Sequence, residues 1–156
     1  MATLGISTNT RLLGLAIITD GELQEYKVLL HKSSWTPWKV SQIILSLEAC
    51  AQQYSINRVI LSMPPTHCQT KEFTYLVAQI RDHFRRKHLL FERQSVQALH
   101  AFCSEQQRKT KKNIMRAIAE RFPELRTFYE KELRNKNKYY VKLFEAVGIA
   151  ALQEHV

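Results

Sequence analysis

The chain has 156 residues, 45% hydrophobic and 24% charged, with only four Gly and four Pro. That composition suits one globular domain over residues 1–156, able to bury roughly two-thirds of its unfolded surface, and it excludes a disordered, collagen-like or disulfide-dense chain. The net charge of +9 is unevenly placed: six basic residues face five acidic ones in 1–80, seventeen face seven in 81–142, and 143–156 holds two acidic residues and no Lys or Arg.

Residues 3–8 are a short apolar stretch that runs into the polar segment Ser7-Thr8-Asn9-Thr10-Arg11, and an apolar, β-branched run follows over 12–19. Asp20-Gly21 separates it from a third run over 22–30. Asp-Gly in that setting predicts a hairpin, since a type I′ turn needs positive φ at both central positions, so three antiparallel strands open the chain. A loop over 33–37 leads to a helix opened by Pro37. In it Val40, Ile43, Ile44, Leu47, Ala51 and Tyr54 recur at helical spacing, with Ser41, Gln42, Glu48 and Gln52 facing out. An apolar strand over 58–61 is stopped by Ser62-Met63-Pro64-Pro65, because two prolines remove ladder donors. A second helix is predicted over 70–87 on Phe73, Leu76, Val77, Ile80 and Phe84, then a short strand over 89–91.

Strand and helix units in that order predict a parallel extension of the opening meander through right-handed crossovers, hence an α/β fold with a mixed five-stranded sheet. The remainder is predicted helical over 96–103, 109–121, 124–134 and 139–154. The last helix is apolar nearly all round from Leu143 to Leu152, which predicts that it packs on the sheet. That stretch is broken by Glu145 and is half the roughly 20 residues of a membrane span. No basic region followed by an apolar run opens the chain, and a cytoplasmic protein with no membrane partner is expected. Cys50, Cys68 and Cys103 contain no CxxC pair, so reduced thiols are expected and a zinc site is not. His67 beside Cys68 makes neither a metal site nor a nucleophile and base pair by itself.

The densest basic runs are Arg85-Arg86-Lys87, Arg108-Lys109-Thr110-Lys111-Lys112 and Lys136-Asn137-Lys138. A field gathered in one half of a chain is the footprint of a protein that meets a polyanion, because each neutralised phosphate releases condensed counterion; a solvated, solubilising face is the alternative. Arg108, Lys109, Lys111 and Lys112 are expected to open a helix, and with Lys136, Lys138 and Arg11 they are the candidate nucleic-acid contacts. Trp35 and Trp38, and Tyr139 and Tyr140 beside Lys136 and Lys138, are candidates for stacking on unpaired bases. Covering a sheet edge and burial at a helix start are their ordinary alternatives.

Several short motifs, in this order, resemble one known family over nearly the whole chain: the RuvC-type Holliday junction resolvases of the ribonuclease H-like superfamily. Leu4-Gly5-Ile6-Ser7-Thr8-Asn9-Thr10-Arg11, then Gly14 and Leu15-Ala16-Ile17-Ile18, are similar to its first strand, polar turn and second strand. Arg58-Val59-Ile60-Leu61-Ser62-Met63-Pro64 is similar to its fourth strand, and Gln94-Ser95-Val96-Gln97-Ala98-Leu99 with the basic segment from Lys109 to the part leading to its last helix. Lys142-Leu143-Phe144-Glu145-Ala146-Val147-Gly148-Ile149-Ala150 resembles the last-helix motif, where the family has two acidic residues three apart. The resemblance implies a ribonuclease H-like sheet in strand order 3-2-1-4-5 flanked by helices, and a homodimer packed through helix 70–87.

Family members cut phosphodiester bonds with two divalent ions held by four carboxylates, and two hard cations that close need several anionic oxygens. Carried over by position, those carboxylates fall on Ser7, Ser62, Lys142 and Glu145. Three of the four are missing, and a catalytically inactive site with no metal is expected. The other reading is a divergent enzyme in which Glu145 works with Glu92 or Asp82 and Mg²⁺ is required. Lys142 and Glu145 lie i, i+3 on one helix, so the ammonium can neutralise the carboxylate and replace a cation; alternatively Lys142 points to solvent. Ser7 and Ser62 also have an ordinary reading as strand-ending hydroxyls that satisfy backbone groups. Three functions stand: a degenerate RuvC-like domain that binds branched or structured DNA without cutting it, an active metal-dependent junction endonuclease, or a protein-interaction module that keeps only the fold. The first is favoured, because the basic excess needs no metal.

Overall fold

Alternation along the opening strands splits the core into two layers in the computed structural model, which describes residues 1–31, 34–135 and 138–153. Strand β1 (Ala2–Thr8) sends Ala2, Leu4 and Ile6 to one side of the sheet, and β2 (Leu12–Thr19) sends Leu13, Leu15 and Ile17 to the same side. Ala16 and Ile18 point to the other. Asp20 and Gly21 both have positive φ, 51° and 81°, so the Asp-Gly turn closes the hairpin to β3 (Glu22–Leu30) as its residue types require. After helix α1 (Pro37–Tyr54), β4 (Arg58–Met63) pairs parallel with β1. Helix α2 (Lys71–Arg86) then carries the chain to β5 (Leu90–Ser95), parallel to β4. The sheet has the order β3-β2-β1-β4-β5, as the family resemblance implies.

Helices α1 and α2 cover the first face with Val40, Ile43, Leu47, Phe73, Leu76, Ile80 and Phe84. The second face is covered by α5 (Val141–Gln153), backed by α3 (Lys111–Arg121) and a 3₁₀ segment, Val96–Phe102. Helix α4 (Arg126–Arg134) lies between α3 and α5 in the chain. The apolar girth of α5 is buried, and two glycines let it settle directly on strand backbone. A Cβ at Gly5 would stand 2.2 Å from the Ala146 carbonyl oxygen, and one at Gly14 would stand 2.2 Å from that of Lys142. Among the described residues no helix is long and apolar enough to cross a membrane, and Cys50, Cys68 and Cys103 are free thiols.

Several boundaries differ from the sequence reading. β4 continues to Met63, because the prolines at 64 and 65 delete donors only at their own positions while Ser62 and Met63 still pair with Gln94 and Ser95. β5 starts one residue late, after His88 takes a left-handed φ of 61°, and runs on through Glu92, Arg93 and Gln94. An edge strand has one open side and tolerates that polarity. Residues 96–102 form a 3₁₀ rather than an α-helical segment, and the expected helix over 124–134 divides into a 3₁₀ turn at Pro123–Leu125 followed by α4. Helix α3 opens at Lys111, not Lys109, because the Thr110 hydroxyl accepts the Asn113 N–H and caps it. Tyr139 and Tyr140 precede α5 instead of opening it. The fully buried Glu132 carboxylate accepts both of their backbone N–H groups and fixes the chain where α5 begins. Glu48 does not face outward: its side chain is 16% exposed and takes His83 Nε2 at 2.5 Å and Lys87 Nζ at 2.8 Å, because α2 packs alongside and reaches over it.

Candidate functional site

The C-terminal ends of β1 and β4 meet the first turn of α5, and the four positions singled out by sequence meet there. Beyond Ser7 the polar turn is held by its own side chains. The Thr8 hydroxyl is 2.7 Å from the Asn9 carbonyl and 2.8 Å from that of Leu12, while the Asn9 side chain accepts the Arg11 and Leu12 N–H groups at 2.8 and 2.7 Å. Such an Asx turn fixes the strand end without tertiary help. Because α5 rests on Gly14, which pairs with Ser7 across the hairpin, the helix delivers Lys142 and Glu145 directly over Ser7.

The Ser7 hydroxyl donates to Glu145 Oε1 at 2.8 Å, and Lys142 Nζ donates to the same oxygen at 3.0 Å. The Ser7 hydroxyl is therefore engaged by a carboxylate 138 residues away rather than by neighbouring backbone, and Lys142 does not point to solvent. Both charged side chains are largely buried, 19% exposed for Lys142 and 12% for Glu145. Ser62 is buried to 3% exposure, and its hydroxyl has no hydrogen-bond partner among the described residues.

All four residues line one cavity of about 440 Å³ between the sheet end and α3. His100, Lys109 and Lys111 also line it, together with the apolar side chains of Val96, Leu99, Ile114 and Met115 among others. Lys109 Nζ donates to the Cys103 and Ser104 carbonyls at 3.3 and 2.5 Å, tying down the segment before α3. Three lysines thus line the cavity with one carboxylate, and that carboxylate already accepts an ammonium and a hydroxyl through one oxygen. Two divalent cations need several anionic oxygens, and this donor set does not fit them. No group of three or more His, Cys, Asp or Glu side chains able to hold a metal occurs among the described residues. Glu92 is directed to Arg58 at 3.7 Å and Asp82 to Arg81 at 3.0 Å, and neither lines the cavity, so neither partners Glu145.

Of the candidate nucleic-acid contacts, the structure brings Lys109 and Lys111 into this cavity. Arg108, Lys112, Lys138 and Arg11 are exposed and do not line it, and Lys136 lies outside the described residues. Trp38 is 71% exposed, whereas Trp35 packs edge-on against Tyr75. Tyr140 is half-buried between Phe128 and Tyr139. His100, which also lines the cavity, escapes a reading by motif because the short 3₁₀ segment that presents it carries no periodic signal; Cys68, set aside in the sequence beside His67, lines the cavity without that His.

No protein-family model and no curated protein sequence matches the chain. Solved structures do match. RuvC of Thermus thermophilus in complex with a Holliday junction substrate superposes with a TM-score of 0.70 at 13% identity, covering 97% of this chain and 90% of that one. A second Thermus thermophilus RuvC structure gives 0.66 at 13%, covering 97% and 91%. The yeast mitochondrial Holliday junction resolvase gives 0.69 at 9%, covering 97% and 77%. The likeness is one of fold: the sheet and its flanking helices are those of the RuvC-type, ribonuclease H-like architecture.

Proposed function

We propose that this chain is a RuvC-like nucleic-acid-binding domain that holds branched or structured DNA without cutting it. The observation that carries this reading is the Ser7, Glu145 and Lys142 cluster, in which an ammonium 3.0 Å from the one carboxylate stands where the family resemblance puts metal-binding acids. An ammonium supplies positive charge at that point but can neither lower the pKa of a bound water nor polarise a phosphoryl oxygen as a Lewis acid. Attraction to phosphate is kept and the cutting chemistry is lost. Lys109 and Lys111 beside the cluster extend the positive field along the path a strand would take.

The deciding experiment mixes purified protein with labelled four-way junction, duplex and single strands, in Mg²⁺, in Mn²⁺ and in EDTA. Retarded complexes in every buffer with no cleaved product are expected. Cleavage that vanishes with Glu145→Gln would instead establish an active endonuclease. One observation favours the protein-interaction reading: Trp38 and Leu45 on α1 and Tyr75 on α2 are 71%, 60% and 45% exposed. That reading prevails if no nucleic acid binds at low salt, where attraction is least screened. A homodimer through α2 belongs to the proposal and is read by sedimentation at micromolar concentration.

A further inference from the structure

The cavity is more than a flat phosphate contact. Its 440 Å³ lies within the range of small-molecule pockets, and like them it is lined by apolar side chains together with a few polar groups. One of these polar groups is not used by the sheet and helix packing: Ser62 is 3% exposed, lines the cavity, and has a hydroxyl without a partner among the described residues. With no protein partner, a hydroxyl in the cavity lining keeps its donor and acceptor positions for a ligand atom or water. In the same lining, Lys142 Nζ has three N–H groups and gives one to Glu145, which leaves donors for an anion. The Glu145 carboxylate would repel that anion, but the Lys142 ammonium and the Ser7 hydroxyl are both directed at it, and Lys109 and Lys111 add two further positive charges. Val96, Leu99, Ile114 and Met115 in the same lining offer an apolar surface suited to a planar ring, with little hydrogen-bonding competition.

We infer that this cavity is a metal-free seat for a single nucleotide, its phosphate held by Ser62 and Lys142 and its unstacked base lying against Leu99, Ile114 and Met115. This deepens the nucleic-acid reading and rests on it for the source of the nucleotide, which is a residue of a strand with its base turned out of the stack. A free nucleoside monophosphate carries the same chemistry, and the test separates the two.

The 156-residue chain in EDTA is titrated by calorimetry with adenosine monophosphate and, separately, with inorganic phosphate. Adenosine monophosphate should bind at least tenfold more tightly than phosphate, because only it reaches the apolar side chains. Ser62→Ala removes no side-chain hydrogen bond within the fold, so it should keep the unfolding midpoint and weaken adenosine monophosphate about tenfold or more, with Ser62→Thr restoring part of the loss. Adenosine monophosphate should also displace part of a labelled four-way junction, and Ser62→Ala should weaken the junction too. If the junction binds but adenosine monophosphate does not, or Ser62→Ala changes neither, the seat is refuted while the domain reading survives. If adenosine monophosphate binds with the stated Ser62 dependence and no strand binds, the seat stands for a free nucleotide and the domain reading fails. Binding that appears only when Mg²⁺ is added overturns the inference, as does equal affinity for phosphate and adenosine monophosphate.

Discussion

Lys142 and Glu145 are close enough, and buried enough, for their coupling to be measured. Replacing Lys142 with Met leaves a carboxylate that is 12% exposed with only the Ser7 hydroxyl to stabilise it. The expected loss is about 1–3 kcal/mol in urea unfolding, between the values for surface and fully buried pairs. Adding Glu145→Gln removes the stranded charge, so the double variant should be more stable than Lys142→Met alone; additive losses would show that the two side chains are not coupled. The i, i+3 spacing made this pair legible in sequence, and family resemblance drew attention to Ser7 and Ser62. That Ser7 donates to Glu145 while Ser62 keeps an unused hydroxyl was not legible, since both facts depend on how α5 sits over the strand ends.

Secondary elements meet at two places where a single substitution reports on packing. Gly14 lies under the first turn of α5, and a methyl group there would stand 2.2 Å from the Lys142 carbonyl oxygen and 2.7 Å from the Leu143 nitrogen. Backbone cannot move aside as a side-chain tip does, so Gly14→Ala should cost about 3 kcal/mol or more, or prevent folding, and should abolish ligand binding in whatever protein remains folded. The other place is the Glu48 bridge between α1 and α2. The Lys87 ammonium, helped by His83 and Gln52 and opposed by burial, holds the Glu48 carboxyl below its ordinary value of 4.5. A carboxyl lowered on folding stabilises above its unfolded value and loses that contribution as pH falls through its folded value. Unfolding midpoints should therefore drop on acidification below about pH 4.5, and Glu48→Gln should be less stable at pH 7 with a shallower acid dependence. An unchanged acid limb in Glu48→Gln would count against the bridge.

Over the whole molecule the positive field is gathered in part and spread in part. Lys109, Lys111 and Lys142 converge on the cavity, while Arg108, Lys112 and Lys138 stand outside it on the exposed surface. A strand that enters the cavity and continues across the start of α3 would meet Arg108 and Lys112 as well. Changing Lys109, Lys111 and Lys112 together to Ala should weaken junction binding with little regard to sequence and flatten the log-log salt dependence by about 2 to 3 units. Because Lys109 also anchors the Cys103 and Ser104 carbonyls, Lys111→Ala with Lys112→Ala is the cleaner pair, expected to flatten it by about 1.5 units. Changing Arg85 and Arg86 on α2 should alter the slope less if a second copy covers that helix. A slope unaffected by the α3 substitutions would place the strand elsewhere.

Local chemistry along the chain was enough to set the Asp20-Gly21 hairpin, the two amphipathic helices and the burial of α5, because turn type and side-chain period depend only on near neighbours. The strand order came with the family resemblance rather than from periodicity. Element ends were less legible. The polar run of β5 is a strand because it lies at an edge, and α3 starts after Lys109 because Thr110 caps it. Glu48 has the spacing of a solvent-facing residue, yet α2 encloses it. The cavity was decided by tertiary structure alone. It joins the ends of β1 and β4, a 3₁₀ turn at 96–102, and the starts of α3 and α5, segments whose adjacency no local pattern encodes. What fixes that adjacency is close packing: a helix that must bury all its faces can approach the sheet this closely only over Gly5 and Gly14, and its resting place determines which charges meet.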